Sequence, residues 1–236
     1  AVGFNALTAN TANNNVGIGA YALNANTSGD YNTAVGYSAL ELTTTGTRNT
    51  AVGMKALEAN VTGNYNTAVG NYALRNNTAS YNTAIGDYAL DQCTTGDQNT
   101  AVGAGGPLGA CTTGQYNTAV GAASMDALTT GDENTAIGWH SLSAVTTGHY
   151  NTGLGHRALQ AITTGSNSTG VGWYALYNCT GAMNTAVGQS AGRGIVGGER
   201  NVAIGNYCMA DATCTGSYNT AVGDNALREA TSAASC

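Results

Sequence analysis

The sequence predicts an all-β chain folded as a parallel β-solenoid, a β-roll of about fourteen coils of 16–18 residues, and three observations carry that prediction. The first is a glycine that returns on a short period: Gly3, Gly19, Gly36, Gly53, Gly70, Gly86, Gly103, Gly121, Gly138, Gly155, Gly172, Gly188, Gly205 and Gly223. Helix-pair repeats and propeller blades need longer periods, whereas one solenoid coil fits this one. The second is a Val, Ile or Leu directly before each of those glycines, from Val2 to Val222. The third is a leucine four residues after the glycine in ten repeats, with Met125 and Met209 in two more. No spacer separates the repeats, so residues 1–236 read as one continuous solenoid domain.

Within each repeat the first element is a short strand that ends at the glycine. Thr stands two residues before the aliphatic position in eleven of thirteen repeats, and Val16 and Val202 replace it in the others. Thr and Val share a shape, so the alternation of a strand predicts that both this column and the aliphatic column face inward. The column between them holds only Ala or Gly, and alternation then turns it outward. Either a neighbouring surface packs closely there or a tight turn limits the side chain. The first alternative predicts lateral packing, which replacing Ala68 and Ala84 by Glu would disrupt. The leucine segment predicts a second inward strand, including Leu7, Leu40, Leu74, Leu142 and Leu176. Turns at Thr44-Thr45-Gly46 and its equivalents close the coil, with the origin glycine at the other bend. Just before the Thr column come Asn32, Asn49, Asn66, Asn82, Asn99, Asn117, Asn134, Asn151, Asn184, Asn201 and Asn219, as well as Asn15. Stacked amides bond along an axis and to turn backbone, so these predict an Asn ladder and not a ligand groove. Two coils lose the leucine, at Pro107 and Gly192, and predict bulges or altered loops.

Composition narrows the function. One Phe, one Pro and 34 Gly leave little to fill a wide interior, so the core must be thin. Charged residues make up 8% with a net charge of −6, and the seven basic residues form no cluster, which disfavours nucleic acid as a partner. No apolar run reaches the ~20 residues of a membrane helix. The chain opens on Ala1 without a signal-like segment and reads as a processed product or an excised piece.

The pattern "TTGxYNTAVGxxAL" resembles the head repeats of trimeric autotransporter adhesins and the NTAVG-repeat arrays of tail-fibre-like surface proteins. The resemblance covers essentially the whole chain and rests on the aliphatic residue, the Gly and the small residue. It implies a left-handed parallel β-roll with three chains packed together. The coil here is about three residues longer than in those heads, and the stalk, anchor and chaperone domain of those families are not in this sequence.

Six cysteines predict disulfides in an oxidising compartment, since C-x-x-C zinc spacing is absent. Cys93 and Cys111 sit one coil apart, and Cys208 and Cys214 lie within one coil, so these pairs are the disulfide candidates. Cys179 and Cys236 have no obvious intrachain partner. Sequons at Asn26, Asn60, Asn76, Asn167 and Asn178 are the glycosylation candidates, four of them at one turn, and Thr-rich turns offer O-linked sites. His140, His149 and His156 have no accompanying carboxylate cluster, and the glycines lack a strand-to-helix context. The sequence therefore predicts no enzyme, no cofactor and no metal. Two aromatic columns remain: Tyr31, Tyr65, Tyr81, Tyr116, Tyr150 and Tyr218 before the ladder, and Tyr37, Tyr72, Tyr88, Trp139, Trp173, Tyr174 and Tyr207 after the glycine. They suit sugar stacking, subunit contacts or shielding of the coil edge.

The functional expectation is a structural subunit or segment of an extracellular or cell-surface filament, glycosylated and self-associating head to tail, with lateral trimers by analogy. Fourteen coils at ~4.8 Å each make a rod of about 65 Å. A second copy placed after Cys236 resumes the repeat with about one residue missing, and such a non-closing contact makes a filament. The alternative is an adhesin head or tail-fibre shaft that binds carbohydrate or a cell surface. Ice binding is set aside because the Thr column is expected to face inward.

Overall fold

The computed structural model describes residues 1–211 and 213–229. It is an all-β parallel β-solenoid with no helix among the described residues, and the chain divides into two compact units, 1–117 and 118–236. The first unit carries β1 (Val16–Ile18), β2 (Thr33–Val35), β3 (Thr50–Val52), β4 (Thr67–Val69), β5 (Thr83–Ile85) and β6 (Thr100–Val102). The second carries β7 (Thr118–Val120), β8 (Thr135–Ile137), β9 (Thr152–Leu154), β10 (Thr169–Val171), β11 (Thr185–Val187), β12 (Val202–Ile204) and β13 (Thr220–Val222). Within each unit successive strands pair in parallel with no register shift, so Thr50 lies beside Thr67 and Val171 beside Val187. The first of the fourteen repeats contributes an isolated bridge, Val2 to Ile18, in place of a strand.

The strands face the other way from the sequence expectation. In every strand the middle residue is buried and its two neighbours lie half-buried or exposed. Ala34, Ala51, Ala68 and Ala84 are fully buried, while Val69 and Ile85 are exposed. The reason is the width of the coil. A Cβ added at Gly17 would stand 3.0 Å from Leu7 Cγ, and one at Gly170 would stand 3.2 Å from Leu159 Cγ. The strand thus packs directly on the leucine column, and a methyl group is the largest side chain that fits between them. The Ala/Gly column is small because it is the core, so it offers no outer surface for lateral packing.

The leucine column is buried as expected from Leu23 to Met209, with Leu7 half-buried and Leu227 exposed, but it does not form a second strand. Leu40 (φ 51) and Ser38 (φ 54) both take left-handed backbone, and the same two positions do so in coil after coil. Alternating handedness curls the segment over the strand while its N–H groups still reach neighbouring coils: Leu40 donates to the Ala56 carbonyl at 3.0 Å and Ser38 to that of Ala20 at 2.9 Å. The curled segment thus keeps coil-to-coil backbone bonds without extended geometry. The origin glycine closes this bend at φ 137 in Gly53, where a Cβ would collide with the carbonyl oxygen of Gly70.

A second interior column runs seven to nine residues after the glycine. It holds Asn26, Thr43, Asn60, Asn77, Cys93 and Cys111 in the first unit, and Leu128, Val145, Ile162, Cys179, Ile195 and Cys214 in the second, all buried. At the two irregular coils this packing is kept. Gly105 and Gly106 take positive φ before Pro107, so Leu108 arrives one residue late and is still buried. At Gly192 the missing side chain leaves room that Leu176 and Ile195 approach, since a Cβ there would stand 2.8 Å and 3.2 Å from them.

The facing of the strands has a direct test. Ala68→Glu places an uncompensated charge in a buried column and is expected to cost about 3–5 kcal/mol, whereas Val69→Glu, one residue on and outward, should change stability by less than about 0.5 kcal/mol. Urea unfolding of both variants checks this, and equal losses would contradict the assigned facing.

Candidate functional site

The buried amides form a ladder. Asn49 Oδ1 accepts the Asn66 backbone N–H at 2.9 Å, Asn66 Oδ1 accepts that of Asn82 at 2.9 Å, and Asn82 Oδ1 accepts that of Asn99 at 2.8 Å. The Nδ2 groups turn to the next coil's turn, as Asn49 does to the Gly63 carbonyl at 2.8 Å, except that Asn219 Nδ2 donates back to Asn201 Oδ1 at 2.9 Å. Asn184, Asn201 and Asn219 repeat the arrangement in the second unit, and Ser168 Oγ stands in once, accepting from Asn184 N–H at 3.2 Å. With both amide ends engaged, the column has nothing left for a ligand. Turn threonines also bond between coils, such as Thr78 Oγ1 donating to the Thr94 carbonyl at 2.8 Å.

The outer edges of the coil carry the aromatic residues, and many of these rings, though partly exposed, meet another ring or an arginine. On one edge the Arg48 guanidinium lies 5.6 Å from the Tyr31 ring and 5.1 Å from the Tyr65 ring, and Tyr65 stacks on Tyr81 at 5.1 Å. On the other, Tyr72 stacks on Tyr88 at 4.9 Å. The densest cluster is in the second unit, where Trp139 stacks on His156 at 4.8 Å and His156 on Trp173 at 6.3 Å. His140 meets the edge of the Trp139 ring at 4.3 Å, so both of these histidines serve the tryptophan stack. Arg157 covers Trp139 at 4.8 Å and donates to the Tyr174 hydroxyl at 3.1 Å. Rings stacked face to face shield one another, which leaves their edges for solvent.

Beside this cluster is a cleft of about 340 Å³, lined by Tyr174, Tyr177, Asn178, Arg193 and Asp211 among others. Arg193 and Arg228 both pair with Asp211, and the Arg228 hydrogen bond, followed by the nearby charges of both arginines, holds the Asp211 carboxyl below its usual value. The cleft therefore offers two phenol rings, an amide and a fixed carboxylate. It carries neither a nucleophile–base pair nor a metal site: among the described residues no group of three or more His, Cys, Asp or Glu could hold a metal ion. No helix of the described residues is long and apolar enough to cross a membrane.

The other singled-out residues fall as follows. Cys93 and Cys111 are buried thiols that contact each other through their sulfurs, and the structure has no disulfide between them. Cys208 and Cys214 are also buried thiols, but they serve different columns. Cys208 Sγ donates to the Ala221 carbonyl at 3.3 Å, while Cys214 lies in the second interior column against Asn219. Cys236 lies outside the described residues. Asn26 and Asn60 are fully buried, with Nδ2 bonded to the carbonyls of Gly29 and Gly63 at 2.9 and 3.0 Å, so no glycan fits on either in the folded coil. Asn76 is half-buried, while Asn167 and Asn178 are exposed. The second interior column and the cleft were missed in the sequence, although burial of a position occupied by Leu128, Val145, Ile162 and Ile195 was a readable signal.

Comparison with family models, with curated proteins and with solved structures gave no match.

Burial pushes the Cys179 thiol up to about 11 from 9.0. A raised folded value means that the unfolded thiol ionises first, so its contribution to stability is complete below about pH 9 and is lost between 9 and about 11. Urea midpoints measured across that range should fall with rising pH, and Cys179→Ala should flatten part of the slope. At pH 8 the native thiol should resist iodoacetamide until the chain is unfolded.

Proposed function

We propose that this chain is a structural repeat protein, a subunit or segment of an extracellular or cell-surface filament built by axial stacking of solenoid coils. The observation that carries the reading is the sameness of the coil-to-coil joint. Strand bonds, curled-segment bonds and the Asn ladder recur in register from coil to coil within each unit. Coils joined this way extend along one axis without needing new contacts, and the interior leaves no room for chemistry. Glycans on Asn167 and Asn178, with Asn76 as a third site, would decorate the turn edges. Self-association head to tail, with lateral trimers by resemblance, belongs to the same proposal.

A second reading, binding of carbohydrate at a cell surface, has one observation in its favour. The cleft at Tyr174, Tyr177, Asn178 and Asp211 combines rings with polar groups suited to a hydroxyl-rich ligand. Sugar stacking on the Trp139–His156–Trp173 row is disfavoured by the rings' mutual stacking.

Electron microscopy and intact mass on the same native sample separate the two. Filaments with an axial period set by the chain's coil count, with mass above the 23.6 kDa polypeptide, are expected. Discrete particles at the bare mass that bind a glycan array, and lose that binding in Tyr177→Ala, would favour the second reading.

A further inference from the structure

The reversed facing of the strands leaves one surface that the structural reading does not use. Thr and the aliphatic residue two positions later point outward from each strand, while the residue between them points in. In the first unit, β2 to β6 present Thr33, Thr50, Thr67, Thr83 and Thr100 in one file, with Val35, Val52, Val69, Ile85 and Val102 beside them. In the second unit β7 to β11 repeat the two files. No charged side chain stands in either file. The strand Thr hydroxyls make no hydrogen bond to protein among the described residues; the threonines are half-buried, as are Val35, Val102, Val120 and Val171, while the rest of the aliphatic file is exposed to about 40%, as at Ile85 (41%) and Val187 (40%).

We propose that this Thr/aliphatic face binds ice. The parallel, unshifted register fixes the side chains on a two-dimensional grid, ~4.8 Å between coils and about 6.6 Å between the files. A grid fixed in this way suits a partner that is itself a regular lattice, and the ordered water of an ice surface is one. Branching at Cβ holds Thr and Val in few rotamers, so the grid is ordered before any surface is met and little side-chain entropy is lost on binding. Each hydroxyl can join the lattice as donor and acceptor, and the methyl groups of both files sit over its open rings.

A second copy of this chain suits the face less well. Two such faces packed dry would trap rows of hydroxyls with only other hydroxyls as partners, and buried unsatisfied polar groups are costly. The files also lack the alternation of large and small side chains that lets two protein surfaces interlock.

The test uses the whole chain in dilute buffer, with nanolitre osmometry for the gap between freezing and melting and a recrystallisation assay in frozen sucrose. The wild type is expected to shape ice crystals and to keep grains small. The variant Thr67→Lys/Thr83→Lys, and its counterpart Thr135→Lys/Thr152→Lys in the second unit, should lose activity with unchanged circular dichroism. Asp87→Lys, an exposed change at the coil edge, should retain it and controls for added charge. Absence of both activities in the wild type would overturn the proposal. So would activity that survives lysine in both units. Sedimentation showing a wild-type oligomer that the lysine variants dissociate, without ice activity, would assign the face to a second copy instead.

Discussion

The whole structure depends on how little space separates the strand from the leucine column. One methyl group fills the gap, as Ala68 and its equivalents show, and where Ser141 brings an oxygen into the interior the facing strand residue is Gly153. A Cβ there would stand 2.5 Å from Ser141 Oγ, which instead donates to the Gly153 carbonyl at 2.9 Å. Interiors packed to crystal-like density transmit a change of a single atom to the opposite wall. The thin core explains why hydrogen bonds take on so much of the cohesion. There is not enough apolar volume in a coil to hold it by burial alone, so backbone bonds, amide ladders and turn hydroxyls connect each coil to its neighbours.

That balance also explains the second interior column. In the first unit it is mainly polar through Asn77, and the amides of Asn26 and Asn60 reach turn carbonyls. In the second unit Leu128, Val145, Ile162 and Ile195 occupy the same place and contribute apolar contact instead. The same coil geometry therefore accepts two kinds of filling: the Nδ2 groups of Asn26 and Asn60 find turn carbonyls, while their buried Oδ1 atoms make no hydrogen bond. The buried cysteines belong with the apolar filling. The Cys111 hydrogen bond, followed by burial, raises the thiol value of Cys93, and burial raises those of Cys179 and Cys208, which keeps the sulfur protonated and makes it a poor nucleophile in the folded coil.

Much of this was legible in the sequence. Period, strand position, the glycine bend, the buried leucines and the amide column all follow from spacing. The facing of the strand does not, because alternation gives parity without sign. Ranking residues by hydropathy puts Val inside and Ala outside, which holds for a core wide enough to reward large side chains. Here volume decides, and the aliphatic residue is excluded. The leucine segment was misread as a strand for a related reason. Tyr, Ser, Lys and Leu at left-handed φ run against their usual preference, and only the repeated coil-to-coil bonding stabilises them there. The cleft depends on residues from three coils, Tyr177, Arg193 and Asp211, whose proximity requires knowing which turn each occupies.

Turning the strand over also changes where function can reside. A solenoid with Ala and Gly outside would present a face fit only for close packing against another surface. With Thr and the aliphatic residue outside, the face is ordered by the backbone, uncharged, and half polar. The aromatic edges, by contrast, are largely engaged with one another and with arginine, as at Arg48 and Arg157. Recognition of an irregular partner requires side chains that differ from place to place, and the cleft beside Tyr177 provides that once. Recognition of a regular partner requires the opposite, a repeated group at fixed spacing, and the strand face provides that along each unit. The repeat that makes the fold is therefore the same property that limits the strand face to partners with a lattice of their own.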